Sequence, residues 1–439
     1  MNEMRTIVGS DDVKERRPPR RPGRVVVIND ISAMKGGATG VALTSVGLIR
    51  AAGVPVTFIT GDDAANADPI VKAGAHVALG GEHILSGPRI EAAARGLYNR
   101  AAARGLAEWI AGHDTPGTIY HLHGWSKILS PSIFRALRPV SARLIVHAHD
   151  FFLVCPNGGY FDFPRGQPCA KAALSLGCLA CSCDRRSYAH KLWRAGRLAL
   201  SRAMFDLASV GRVLAVHEAM VPLLQRAGLK DAPVGVLRNP VMPWSRPRIA
   251  AERNGSFVFV GRLDWDKGVD LLAAAARRAG VRLRMVGTGP LHETLARQYP
   301  EIEITGWRAR EDIAELCRDA RAIVLPTRSR EAFGLAALEA MMSGLPAVIS
   351  ERATIAGETV NEGFGLACNP QDEAALADLL AQLRRDDVAV ARMSRTAHAN
   401  ARALAPTPGE WCARLLDTYA ATLDGATAES VKNSRLEGR

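Results

Sequence analysis

The stretch 321–350, RAIVLPTRSREAFGLAALEAMMSGLPAVIS, decides the fold. Its apolar run stops at Pro326, as a buried strand does where its hydrogen-bond ladder ends. A polar loop follows over 327–332, then a run of good helix formers over 333–342. Gly344 and Pro346 close the helix, and Ala347-Val348-Ile349 opens another strand. Strand, loop, helix, turn and strand make one βαβ unit, the repeat of a parallel sheet covered by helices.

This unit carries two carboxylates, Glu331 in the loop and Glu339 in the helix, eight positions apart. The amides of a helix that follows a strand make a natural phosphate site. A carboxylate is out of place there unless the ligand also brings hydroxyls, as a ribose or hexose does. Glu331 is then placed to hold sugar hydroxyls, the backbone of Phe333, Gly334 and Leu335 to face phosphate, and Glu339 to accept from a ribose. A solvated loop residue and an exposed helix position are the plainer alternative. The segment EAFGLAALEAMMSGLPAVIS closely resembles the E-x7-E segment of retaining glycosyltransferases in family 4, enzymes of the GT-B fold. The resemblance implies an α/β chain of two Rossmann-like domains facing across a cleft, with the donor nucleotide-sugar held by the second.

The chain of 439 residues is long enough for two domains with separate cores. Its 48% hydrophobic and 23% charged content is that of a globular protein, and a formal charge of +12 points to an anionic partner. Arg16, Arg17, Arg20, Arg21 and Arg24 cluster around three prolines, so 1–23 reads as a disordered basic arm. With no aromatic residues interleaved for base stacking, it gives no reason to invoke nucleic acid. No run is long and apolar enough for a membrane span, and 25–28 is too short for a signal core. The expectation is a cytoplasmic protein that touches the inner membrane surface, if at all, through basic patches.

Domain by domain, 24–242 reads as the N-terminal acceptor domain and 243–405 as the donor domain. A helix over 406–424 crosses back to the first domain, and 425–439 reads as a disordered tail. The opening RVVVI strand, a loop with Gly36 and Gly37, a helix and a second strand are Rossmann-like. The spacing is not G-x-G-x-x-G, so a dinucleotide site is not supported. Alone, the two glycines read as a tight turn; the resemblance makes them a glycine-rich loop approaching donor or acceptor. TIYHLH (118–123) and LIVHAHD (144–150) are strands ending in histidines, His121 with His123 and His147 with His149 sharing a face. The resemblance assigns His149 to the reacting sugar, with His123 and Trp125 lining the cleft.

Five cysteines follow, Cys155, Cys169, Cys178, Cys181 and Cys183, within a loop over 155–183. Four thiolates around one zinc ion are available here, in a structural role, although the spacing fits no standard motif. Reduced thiols in an ordinary loop are the alternative. The segment 187–207 is a basic amphipathic helix, suited to an anionic membrane or, more commonly, to water.

In the second half, GRLDWDKG places Arg262 and Lys267 at a strand tip and helix start. Two fixed cations there neutralise a diphosphate and stabilise it further as it leaves. Gly261, Arg262, Lys267 and Gly268 match the family's phosphate segment. Gly287 and Gly289, in a G-x-G-P turn, match its nucleotide approach. Asp264-Trp265-Asp266 looks like a metal-binding D-x-D but lies inside the phosphate segment, so no catalytic cation is implied. After 350 the chain lacks the family's paired glycines, which puts the local sugar contacts in doubt.

The resemblance as a whole implies a retaining, metal-independent transferase. It would move a hexose from a UDP- or GDP-sugar to a hydroxyl of a glycan or lipid-linked sugar, in cell-surface polysaccharide synthesis. Glu331, His149, Arg262 and Lys267 would carry the reaction. A non-catalytic nucleotide-sugar or phosphosugar binding protein is the alternative, and it would need neither Glu331 nor His149.

Overall fold

The computed structural model describes residues 21–226 and 228–437, with side chains to 427. Most of the basic arm expected over 1–23 lies outside the described residues. Two parallel sheets organise the rest. The first contains β1 (Arg24–Asn29), β2 (Val56–Thr60), β3 (His76–Ala78), β4 (Thr118–Leu122) and β5 (Leu144–Ala148). After a two-stranded antiparallel hairpin, β6 (Phe161–Asp162) and β7 (Gln167–Pro168), it is completed by β8 (Arg212–Ala215) and β9 (Val234–Val236). Its strand order is β3-β2-β1-β4-β5-β8-β9. The second sheet takes β10 (Ser256–Val260), β11 (Arg282–Val286), β12 (Glu303–Gly306), β13 (Ala320–Leu325), β14 (Ala347–Ser350) and β15 (Gly365–Cys368), in the order β12-β11-β10-β13-β14-β15.

The central strands are near-continuous apolar runs because helices cover both faces of a parallel sheet. In β1 every residue after Arg24 is buried, and Val27 pairs with Phe58 on one side and His121 on the other. The region 61–117 reads as mostly helical in sequence but also holds β3, whose three residues are too few to show a period.

The chain passes between the sheets twice, side by side. Val241 donates its amide to Pro406 O (3.0 Å), and Arg238 donates to Leu404 O (2.9 Å). Arg238 also pairs with Glu218 of the first domain and Glu358 of the second (2.7 and 2.6 Å). The final helix, Pro408–Glu437, starts at a reciprocal cap. Thr407 N donates to Glu410 Oε2 (2.8 Å), and Glu410 N donates to Thr407 Oγ1 (3.3 Å). Trp411, Leu415, Tyr419 and Leu423, at helical spacing, lie in one buried cluster with Val25, Val27, Ile119 and Ile145 of the first sheet. The tail expected to be disordered after 424 instead continues this helix to Glu437. Gly425 within it costs only about 1 kcal/mol, and alanine, glutamate, lysine and arginine follow it.

Candidate active site

In an open parallel sheet the crevice lies beyond the strand C-termini, where the strand order reverses. The first sheet reverses between β1 and β4, the second between β10 and β13. The loop after β1 ends at Gly36, with Gly37 opening the helix Gly37–Ala51, and the loop after β4 begins with His123. The loop after β10 holds Arg262 and Lys267, and that after β13 holds Glu331, Phe333 and Gly334. The two sides meet: a Cβ placed on Gly37 would stand 3.1 Å from Leu335 Cδ1, at the start of the helix Leu335–Met342. Sequence-predicted residues from both halves therefore border one cleft.

On the second-domain side, Lys267 Nζ forms a close ion pair with Glu331 Oε2, joining two loops 64 residues apart in sequence. Burial pulls the Lys267 amine down, and Glu331 more than offsets this, so its pKa stands above the ordinary lysine value. The Glu331 loop is fixed by its backbone, with Thr354 N donating to Glu331 O (3.1 Å). Arg262 pairs with Asp264 Oδ2 (3.2 Å) and Asp266 Oδ1 (3.3 Å), and its side chain is 56% exposed, free to reach an anion. Gly268 must be glycine. Its φ is +69°, and a Cβ would lie 2.1 Å from Pro326 O.

Gly287 changes its expected part. A Cβ there would fall 1.9 Å from Gly261 O, so this glycine lets two loops of the protein pack on each other. Gly289 does the same against Leu263 O, at 2.3 Å. The backbone that approaches them is the chain's own. Phe333 is buried (4% exposed), and Gly334, at φ +81°, is the N-cap of the helix.

Glu339 pairs closely with Arg310, which also donates to Pro243 O (3.1 Å) at the domain crossing. Burial pushes the Glu339 carboxyl above its ordinary range, against the opposing pull of Arg310. The sequence reading missed Arg310, since nothing in its spacing marks it. It missed Arg185 as well. This residue follows the cysteine loop and pairs across the cleft with Asp264 (2.9 Å) and Asp266 (3.3 Å), the carboxylates that hold Arg262.

On the first-domain side, four imidazoles stack at the ends of β4 and β5. His123 Nδ1 is 3.0 Å from His149 Nε2, His121 Nε2 is 3.2 Å from His147 Nδ1, and His121 Nδ1 is 2.7 Å from Tyr419 Oη of the last helix. His149 lies just past β5, nearest the cleft, and the loss of water pushes its pKa from 6.5 to about 4. The three deeper rings are held well below the ordinary value, first by burial and then by one another. All four are neutral near pH 7. Ligand nitrogens of His121, His123 and His147 lie within 4.8 Å of one another. The His147 ring, however, is only 14° from the plane of His121 and 29° from that of His123. In-plane lone pairs on stacked rings do not converge on one ion, so the array is better described as a hydrogen-bonded stack.

The five cysteines occupy one lobe, and four of them are buried. Among the described residues no three of their sulfurs come within 4.8 Å of one another, so the expected tetrahedral set is not preformed. The loop is held instead by Asn157, which bonds both Cys155 and Cys183.

Comparison with known proteins agrees with this architecture. Residues 36–240 match the family model "Glycosyl transferase 4-like domain", and 254–386 match "Glycosyl transferases group 1". A glycogen synthase of Mycobacterium tuberculosis is 29% identical over 272 residues, covering 58% of this chain and 63% of its own length. A GDP-mannose-dependent alpha-mannosyltransferase of Corynebacterium glutamicum is 36% identical over 105 residues, 24% of this chain and 25% of that protein. Among solved structures, sucrose-phosphate synthase from Thermosynechococcus elongatus superposes with a TM-score of 0.64 at 18% identity, over 94% of this chain and 99% of that one. Anabaena HepE in complex with UDP-glucose gives 0.61 at 16%, over 90% and 99%. The chain has the GT-B fold, and its two halves match glycosyltransferase domain models. It spans 63% of the length of the first curated relatives.

Proposed function

We propose that the chain transfers a hexose from a UDP- or GDP-sugar to a hydroxyl of a glycan or lipid-linked acceptor, with retained anomeric configuration and without a catalytic metal. The observation that carries this is the meeting of both sheet reversals at one cleft, with Lys267 and Glu331 already paired beside an exposed Arg262. A diphosphate entering there takes Arg262 as a planar fork and Lys267 as a point charge. Both interactions strengthen as the bond to the sugar breaks and charge gathers on the departing phosphate. Glu331 holds sugar hydroxyls while keeping Lys267 charged, and Glu339 accepts from the ribose once Arg310 yields. His149, neutral at working pH, bonds the hexose from the first domain, and Gly36 and Gly37 border the donor opposite Leu335. The leaving phosphate oxygen takes the acceptor proton.

The donor choice follows what relatives and neighbours hold: UDP-glucose in HepE, and GDP-mannose by the name of the mannosyltransferase. A role in cell-surface polysaccharide synthesis belongs to the same reading. No helix among the described residues is long and apolar enough to cross a membrane. A peripheral contact through the basic helix Tyr188–Met204 would bring a lipid-linked acceptor to the cleft.

The test is a panel of UDP-, GDP- and ADP-sugars read by thermal shift and by nucleotide release, with and without EDTA. One donor is expected to stabilise the wild type and turn over unaffected by EDTA. Arg262→Ala and Glu331→Gln should each lose about 100- to 1000-fold in turnover. Binding of no nucleotide sugar, or full activity in both variants, would overturn the proposal.

A further inference from the structure

The loop after β13 carries an arginine that nothing in the chain satisfies. Arg330 stands next to Glu331 and is half-buried. Among the described residues its guanidinium makes no hydrogen bond and no ion pair, and its Nε is shut off from water without a partner. Burial holds its pKa below the ordinary arginine value, and the one charged group that adds to this is another arginine, Arg226. Arg226 ends the helix Val221–Arg226 of the first domain. It is exposed, its Nη1 donates to Ala170 O (3.2 Å), and among the described residues no carboxylate pairs with it.

Other contacts bring these two sides of the cleft together. Arg352, in the loop after β14, donates to Arg328 O (2.7 Å) and to Gln371 Oε1 (2.9 Å). Its guanidinium carbon lies 5.2 Å from the centre of the Phe161 ring in β6. A Cβ placed on Gly166, between β6 and β7, would stand 2.3 Å from Gln371 Nε2. The hairpin therefore packs on the second domain, and a few residues on, at Ala170, it holds Arg226. Of the nearby acids, Asp162 is taken by Arg165 (3.2 Å), and Glu351 acts on Arg352 but not on Arg330. Like charges set across a cleft, one of them half-buried, are costly unless an anion comes between them. The planar fork of a guanidinium matches phosphate oxygens, and two unmatched positive charges match the dianion of a phosphate ester near pH 7.

We propose that Arg330 and Arg226 form a phosphate subsite, distinct from the pair Arg262 and Lys267, that takes a phosphate group carried by the acceptor. The group is an ester on a sugar or the diphosphate of a lipid-linked sugar. Bound between the two arginines, it draws the first domain toward the loop that carries Glu331. That the phosphate belongs to the acceptor rests on the transfer reading; the binding of phosphate does not.

Isothermal titration of the full chain with glucose 6-phosphate and with geranyl diphosphate, each with and without saturating UDP or GDP, separates the two sources of phosphate. Glucose and glucuronate are the controls. At least one phosphate probe should bind about 10-fold or more tighter than either control, whether or not nucleotide is present. Arg330→Met and Arg226→Met should each weaken that binding about 10- to 100-fold, and Arg262→Ala should leave it intact. Arg226 is exposed, so its variant decides the matter whether or not Arg330→Met folds. Phosphate probes that bind no better than the controls, or equally well in folded arginine variants, would overturn the proposal. So would their displacement by UDP or GDP, which would put them in the donor site. Failure of both nucleotides to bind, with the phosphate probes still dependent on Arg226, would sink the transfer reading and leave the subsite standing.

Discussion

Arg262 and Lys267 are poised by the acids around them. Asp264 and Asp266 hold Arg262, and Glu331 holds Lys267, so both cations are oriented before any ligand arrives. The histidine stack makes the opposite electrostatic choice. Its rings are kept neutral by burial, and this links stability to pH. The unfolded chain protonates all four imidazoles below about pH 6.5, whereas folded His149 resists until about 4 and the other three are also held well below the ordinary value. As the pH falls through that window the unfolded state binds more protons, so stability should fall with it and be fully present above it. Urea midpoints measured across the window should drop steeply, and His147→Gln should flatten the slope. A midpoint independent of pH would mean that the rings are already charged in the folded protein. Such contacts were not legible in the sequence. The alternation of LIVHAHD and TIYHLH put the histidines on common faces, but only the cross-strand register stacks them, and Tyr419 arrives from nearly 300 residues away.

At the scale of elements, the clearest reading was the βαβ unit over 321–350. Pro326, Gly344 and Pro346 punctuate it, and β13 and β14 fall within a residue or two of the expected strands. Where such punctuation is absent the reading fails. β3 is three residues inside an alanine-rich region, and the last helix runs on past 424, where a disordered tail is expected. The glycines of the G-x-G-P turn were found for their pattern, but the backbone crowding that requires them is the protein's own. The last helix is joined to the first sheet by a narrow apolar seam. Trp411, fully buried, is its largest side chain. Trp411→Ala should therefore cost about 3–5 kcal/mol of stability, read as a lower urea midpoint. An unchanged midpoint would show that the seam does not anchor the helix.

For the whole molecule, two sheets are joined by adjacent chain crossings at 237–243 and 404–408, with Arg238 tied to an acid on each side. Such an arrangement suits hinge closure over a cleft. Arg185 from the first domain already reaches the loop after β10 of the second, so on the proposed function closure would trade that contact for the ligand. The fold itself was legible because both halves repeat the same strand–loop–helix grammar. The bridging contacts were not, because ion pairs between distant surface residues leave no period or spacing in a sequence. On the proposed function the loops after β10 and β13 together hold a nucleoside diphosphate. Hydrogen–deuterium exchange of the full chain, with and without UDP or GDP, tests it most directly. One of the two nucleotides should slow exchange in 261–268 and 327–335 together. Protection confined to other segments, or no protection with either nucleotide, would contradict it.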